Sequence, residues 1–116
     1  MTETTIERVP VNAKELADFC IGCAEEKLGE NPVLLTLGEA SSVADYFVVV
    51  TANSEPQLRA LISFIERQVR EKFQLRPFSN GGDEVGGWAL LDFGTVIVHL
   101  MTPEMRERYN LEALWG

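Results

Sequence analysis

The sequence predicts one α/β domain of the mixed α+β kind, with a mixed sheet of about five strands and flanking helices. Three observations predict this fold class. Two stretches carry helix-capping signals ahead of an amphipathic run. The segment YFVVVT at 46–51 is rich in aromatic and β-branched residues, as strands are. Two further apolar runs meet at Gly94-Thr95, a pair that suits a tight hairpin turn.

The chain has 116 residues, which suits one domain. We expect residues 1–11 to form a flexible N-terminal arm and residues 12–116 to form the single domain. No apolar run reaches the roughly 20 residues that a transmembrane helix needs, and the N-terminal segment lacks the apolar core of a signal peptide. We therefore expect a cytoplasmic protein without membrane contact.

The first helix is predicted over 13–28 and carries both cysteines of the chain. Asn12 is followed three residues later by Glu15, as in a capping box. Cys20 and Cys23 form a CxxC pair in the middle of this helix, whereas redox pairs usually open a helix, where the dipole lowers a thiol pKa. We interpret the pair as core packing, because free cysteine is among the most buried residue types.

Two more helices are indicated further along the chain. Ser54 and Gln57 form a second capping box, and the helix that follows should end near Phe73. A short final helix is predicted over 103–109, opened by a Thr-Pro pair.

The remaining segments are predicted as strands and one loop. Residues 33–37 and 46–51 are strand-like. Residues 75–78 are predicted to form an edge strand, since Pro77 cannot donate to a ladder. The glycine-rich stretch 79–87 is predicted to be a flexible loop.

The stretch 88–101, WALLDFGTVIVHLM, is predicted to be a hairpin. Gly94-Thr95 fits a two-residue turn with Gly first, which places Phe93 opposite Val96. Side chains alternate between the faces of a strand, so one face is wholly apolar and belongs against the core. It holds Ala89, Leu91, Phe93, Val96, Val98 and Leu100. The other face holds Trp88, Leu90, Asp92, Ile97, His99 and Met101.

This second face of the hairpin has two interpretations. In this register Asp92 and His99 are diagonal neighbours roughly 7–8 Å apart at the backbone, so their side chains could meet. In the first interpretation Asp92 orients a half-buried His99 and Trp88 covers the sheet. In the second the face is a docking surface, since a Trp beside polar and aliphatic groups is typical of interface hot spots. A catalytic His-Asp pair is disfavoured, because no nucleophile is placed beside it.

The charge balance indicates the kind of partner. The formal net charge is −8, with 18 acidic and 10 basic residues. Direct nucleic-acid binding usually needs a clustered basic surface, and the sequence has none, so we expect little direct contact with nucleic acid. An acidic chain suits a basic protein partner, such as a ribosomal protein or a histone.

Three segments of the chain resemble the ribosomal silencing factor family, also called the Iojap family. They are DYFVVVTANSEPQ at 45–57, WALLDFGTVIVHLM at 88–101 and RYNLEALW at 108–115. The order and spacing of these segments are similar to those of the family from about Asn12 to Trp115, which is nearly the whole chain.

The resemblance implies a nucleotidyltransferase-like fold. It implies a protein that binds the large ribosomal subunit through the fourteenth ribosomal protein of that subunit, blocks joining of the small subunit and represses translation when nutrients are short. It also implies a homodimer when free. The partner-binding residues implied by the resemblance together with the face analysis are Trp88, Leu90, Leu91, Asp92 and His99. Tyr109 and Glu112 match family positions without an assigned role.

The alternative is a nucleotide-binding or nucleotidyltransferase-type enzyme. That chemistry needs paired metal-binding carboxylates after a glycine turn, and no Asp-x-Asp pair stands near a strand end. GGDEV at 81–85 is similar to the GGDEF signature of diguanylate cyclases, but five residues are a weak signal. We expect no catalytic residue, no cofactor and no metal.

Overall fold

The computed structural model describes residues 11–38, 41–83 and 86–115. All but one residue of the expected N-terminal arm, residues 1–11, thus lie outside the described residues. The strands are β1 (Glu30–Thr36), β2 (Tyr46–Thr51), β3 (Ser79–Asp83), β4 (Trp88–Asp92) and β5 (Val96–Met101). The helices are α1 (Ala13–Glu26), α2 (Glu55–Phe73), α3 (Pro103–Tyr109) and α4 (Leu111–Trp115).

The strands form one mixed sheet in the order β1-β2-β5-β4-β3. β2 and β5 are parallel, and the other three neighbouring pairs are antiparallel. Helices α1 and α2 pack on one face of the sheet, while α3 contacts β5 and α4 contacts β1. The predicted class, a mixed α/β domain with helices flanking a mixed sheet, is confirmed.

The main core lies between the sheet and the α1–α2 layer. It includes fully buried side chains from both helices and from the central strands, such as Leu16, Leu61 and Val98. Both cysteines are free and belong to this core. Burial raises the pKa of Cys23 to about 11 and also raises the pKa of Cys20, so both stay as thiols that pack.

The capping residues begin both long helices as predicted. Asn12 Oδ1 accepts a hydrogen bond from the Glu15 backbone N–H at 2.9 Å, and the Ser54 hydroxyl caps α2 in the same way. Helix α1 ends at Glu26, two residues before the predicted limit. The chain turns there because Leu28 adopts a left-handed backbone with φ of 65°.

The third strand lies later in the chain than predicted. The expected strand at 75–78 is wrong, and β3 instead occupies 79–83, inside the segment predicted to be a loop. Pro77 has no N–H to donate, so the ladder begins only when the Phe78 N–H donates to the Asp92 carbonyl at 2.7 Å. A glycine-rich strand is tolerated here because β3 is an edge strand that pairs with β4 alone.

Within the described part of the chain, no helix combines the length and apolar character needed to span a membrane.

Candidate functional site

The hairpin of β4 and β5 has the predicted register. Leu91 pairs with Val98 and Asp92 with Ile97, and the Phe93 N–H donates to the Val96 carbonyl at 2.9 Å. Gly94 has a φ of 89°, which suits the first position of the tight turn. The face predicted to be apolar lies in the main core, as its residues Ala89, Leu91, Phe93, Val96, Val98 and Leu100 all do.

The second face of the hairpin is open only along β4. Its β5 residues are buried, with Ile97 at 7%, His99 at 6% and Met101 at 0% exposure, because β5 is the central strand and lies against α3. Its β4 residues are half-buried, and they are Trp88, Leu90 and Asp92. Leu90 pairs with Gly81 of the edge strand, which has no side chain to cover it.

Hereafter the docking face means Trp88, Leu90 and Asp92. Of the five predicted partner-binding residues, these three share an accessible surface. Leu91 is fully buried on the opposite face and His99 is buried behind Trp88. In this structure neither Leu91 nor His99 offers surface to a partner, so any role in binding must be indirect.

The expected contact between Asp92 and His99 is not formed. The Asp92 carboxylate accepts a hydrogen bond from the Gly94 N–H at 2.8 Å and so stabilises the hairpin turn. His99 Nδ1 accepts instead from the Trp88 indole Nε1–H at 3.2 Å. Asp92 bonds to the turn because the backbone of that turn is the polar group nearest to its short side chain.

His99 is a neutral imidazole in a largely apolar setting. Burial lowers its pKa to about 4. Since Nδ1 accepts from Trp88, the proton of the neutral ring sits on Nε2. This Nε2–H is buried and has no hydrogen-bond partner among the described residues.

Four aromatic rings run in a row from the sheet interior to the surface. The centroids of Phe47 and His99 lie 4.5 Å apart, those of His99 and Trp88 5.8 Å, and those of Trp88 and Tyr109 4.8 Å. Tyr109 ends α3 and is 45% exposed. Trp88 is therefore held between a buried ring and a surface ring. Sequence reasoning missed Tyr109 as a site residue, because its family match carried no indication of which strand it contacts.

Arg106 anchors the two C-terminal helices beside this row. Its guanidinium donates to both carboxylate oxygens of Glu112, at 3.0 and 3.3 Å, and to the Thr51 hydroxyl at 2.8 Å. A bidentate pair of this kind fixes orientation as well as distance. Arg106 and Tyr109 both belong to α3. The ion pair of Arg106 with Glu112 and its hydrogen bond to Thr51 therefore fix α3, and with it Tyr109, beside Trp88.

The segment similar to a cyclase signature lies on the sheet edge. Gly81, Gly82 and Asp83 belong to β3 and pair with β4, while residues 84 and 85 lie outside the described residues. Among the described residues, no three His, Cys, Asp or Glu side chains are grouped so as to hold a metal ion.

Titration of His99 should make folding stability depend on pH. Its pKa is about 4 when folded and 6.5 when unfolded, so between these values the unfolded chain binds more protons. Stability is therefore full above pH 6.5 and falls by about 3 kcal/mol as the pH drops to about 4. Urea unfolding followed by circular dichroism at several pH values measures this, with His99→Phe as the non-titrating control. Parallel pH profiles of the two proteins would contradict the prediction.

Comparison with known proteins places this geometry in a family. The family model described as "Ribosomal silencing factor during starvation" matches residues 10–116. A ribosomal silencing factor of Bacillus subtilis is 34% identical over 91% of this chain and 89% of its own. Another, from Halalkalibacterium halodurans, is 32% identical over 89% of this chain and 87% of its own.

A solved structure shares the fold as well. The crystal structure of a protein from Chromobacterium violaceum superposes with a TM-score of 0.85 at 30% identity, covering 91% of this chain and 88% of that one. The match of the family model spans all of the described residues, including both strands of the hairpin and the C-terminal helices. The chain belongs to the ribosomal silencing factor family.

Proposed function

We propose that this protein binds the large ribosomal subunit through the fourteenth ribosomal protein of that subunit and prevents the small subunit from joining. Translation would fall as a result, under nutrient limitation. The observation that carries the proposal is the docking face: a half-buried Trp88, with Leu90 and Asp92 on the same strand, beside a glycine that leaves Leu90 uncovered. Family membership supports the ribosome as the target.

The chemistry of the docking face suits a basic protein surface. An aromatic anchor with an aliphatic neighbour provides the buried centre of an interface, and tryptophan is enriched among hot-spot residues. Asp92 adds a carboxylate at the rim, within a chain of net charge −8. Opposite charge on the partner would steer its approach, so we expect association to slow as salt is added.

The proposed mechanism is steric. A domain seated on the subunit interface occupies the place where contacts between subunits would form, and this needs no chemical step. We further propose that the domain is nucleotidyltransferase-like in fold, acts in the cytoplasm and is a homodimer when free. The family resemblance supports these three points, and light scattering of the free protein tests the last.

Cosedimentation tests the proposed function. Purified protein is spun with isolated large subunits, and small subunits are then added at the magnesium concentration that normally gives whole ribosomes. We expect the protein to pellet with large subunits and the yield of whole ribosomes to fall as it saturates them. Failure of the protein to pellet with large subunits, or normal subunit joining at saturation, would contradict the proposal.

Calorimetry with ATP and GTP is the parallel test of the enzymatic alternative. We expect no heat of binding for either nucleotide.

A further inference from the structure

One buried group on the docking side of the sheet is not used by a steric mechanism. His99 is 6% exposed, so it cannot touch a partner directly. Its Nδ1 nonetheless accepts a hydrogen bond from the indole Nε1–H of Trp88, the aromatic side chain of the docking face, at 3.2 Å. The other ring nitrogen, Nε2, is buried without a partner among the described residues.

We propose that His99 is a positioning residue: its Nδ1 fixes the indole of Trp88 in the orientation that binds the partner. This inference rests on the proposed function, because it concerns the same face. It adds the element that makes Trp88 a rigid anchor and gives the buried His99 an indirect part in binding.

The surroundings of the two rings support this role. His99 is backed by Phe47, whose ring lies edge-on at 65° and 4.5 Å, so the imidazole has little freedom to turn. Trp88 also packs against Tyr109, whose ring centroid lies 4.8 Å from that of Trp88. The hydrogen bond then selects one orientation of the indole within that slot. An anchor that is already ordered loses less entropy on binding.

The unpartnered Nε2 argues against packing as the only role of His99. A buried N–H without an acceptor costs stability, and an apolar ring of similar size would avoid that cost. A phenylalanine at position 99 could keep the contacts with Phe47 and Trp88 but could not accept a hydrogen bond from the indole N–H. What the imidazole adds to packing is therefore the acceptor at Nδ1.

Two substitutions separate positioning from packing. His99→Phe keeps a ring and removes the acceptor, while His99→Asn removes the ring and places Oδ1 close to the position of Nδ1. We expect the stability of His99→Phe to be close to that of wild type, because the substitution removes the unpartnered Nε2–H but leaves the indole N–H of Trp88 without its acceptor. We expect it to bind large subunits roughly two- to tenfold more weakly, the range set by one neutral hydrogen bond. We expect His99→Asn to be less stable but to bind nearly as wild type.

The measurements are the affinity for large subunits, urea unfolding, and the indole N–H resonance of Trp88 in a proton–nitrogen correlation spectrum, assigned with Trp88→Phe. In His99→Phe the indole resonance should shift and exchange faster with water. Leu35→Ala is the matched control, because Leu35 is buried in the same cluster as Phe47 but lies on β1, two strands away from His99. It should lower stability and leave the affinity near that of wild type.

The affinities of the variants, compared with their folding stabilities, test the proposal. The proposal would be overturned if the affinities of the variants for large subunits followed their folding stabilities, or if His99→Phe bound as tightly as wild type. If His99→Asn does not fold, the affinity of His99→Phe decides by itself. If the wild-type protein does not bind large subunits, the proposed function fails separately. In that case an unchanged indole resonance in His99→Phe would also overturn the positioning role.

Discussion

Trp88→Ala is expected to weaken binding to isolated large subunits by at least about 30-fold, since truncating a hot-spot residue costs about 2 kcal/mol or more. The substitution removes the aromatic ring of the docking face and the contact of that ring with Tyr109. It also leaves both nitrogens of His99 without a partner among the described residues. We therefore expect a loss of about 1–3 kcal/mol in folding stability as well.

The control for Trp88→Ala is Leu28→Ala. Leu28 is also a large apolar side chain, 78% exposed, but it follows α1, which packs on the face of the sheet opposite the docking face. Cosedimentation titrations of both variants give the affinities, and urea unfolding gives their stabilities. Equal binding by the two variants, or a Trp88→Ala protein that is unfolded at 25 °C, would show that Trp88 serves the core rather than a partner.

Leu91→Ala is expected to destabilise the domain by about 2–5 kcal/mol, the usual cost of emptying a buried leucine site. Leu91 is fully buried in the core under α1 and α2. Leu90, its neighbour in the chain, is half-buried and faces the opposite side of the sheet. Leu90→Ala should lose less than half as much stability, yet it should weaken binding to large subunits while folded.

The two leucines form a matched pair with the same side chain, the same strand and opposite faces. Chemical unfolding measures the stability difference, and titration with large subunits at a temperature where both variants are folded measures binding. We expect Leu91→Ala to bind almost as wild type under those conditions. Weaker binding by Leu91→Ala than by Leu90→Ala would mean that the wrong face of β4 has been assigned to the partner.

Much of the fold could be predicted because its signals are local. Capping by Asn12 and Ser54 depends on residues three positions apart. The register of the hairpin follows from the two-residue turn at Gly94, which then sorts every side chain of both strands between two faces. These features needed no knowledge of distant contacts.

The errors have a common source in distant contacts. β3 is rich in glycine and has little strand propensity, so only its pairing with β4 makes it a strand. The acceptor for Trp88 was unpredictable for a similar reason. Asp92 was a sequence candidate for His99, but its carboxylate is used by the turn, and the indole lies on the His99 side.

By itself, the sequence determined the class of the fold, the hairpin and the set of residues that share the second face. It could not rank those residues by exposure, because alternation along a strand says which side a residue faces and not what lies above it. The tertiary structure decided that. It placed β5 at the centre and β4 beside a glycine-bearing edge, covered His99 with Trp88, and set Tyr109 over Trp88 through α3. Accessible surface is a property of neighbours, and those neighbours come from segments up to tens of residues away in the chain.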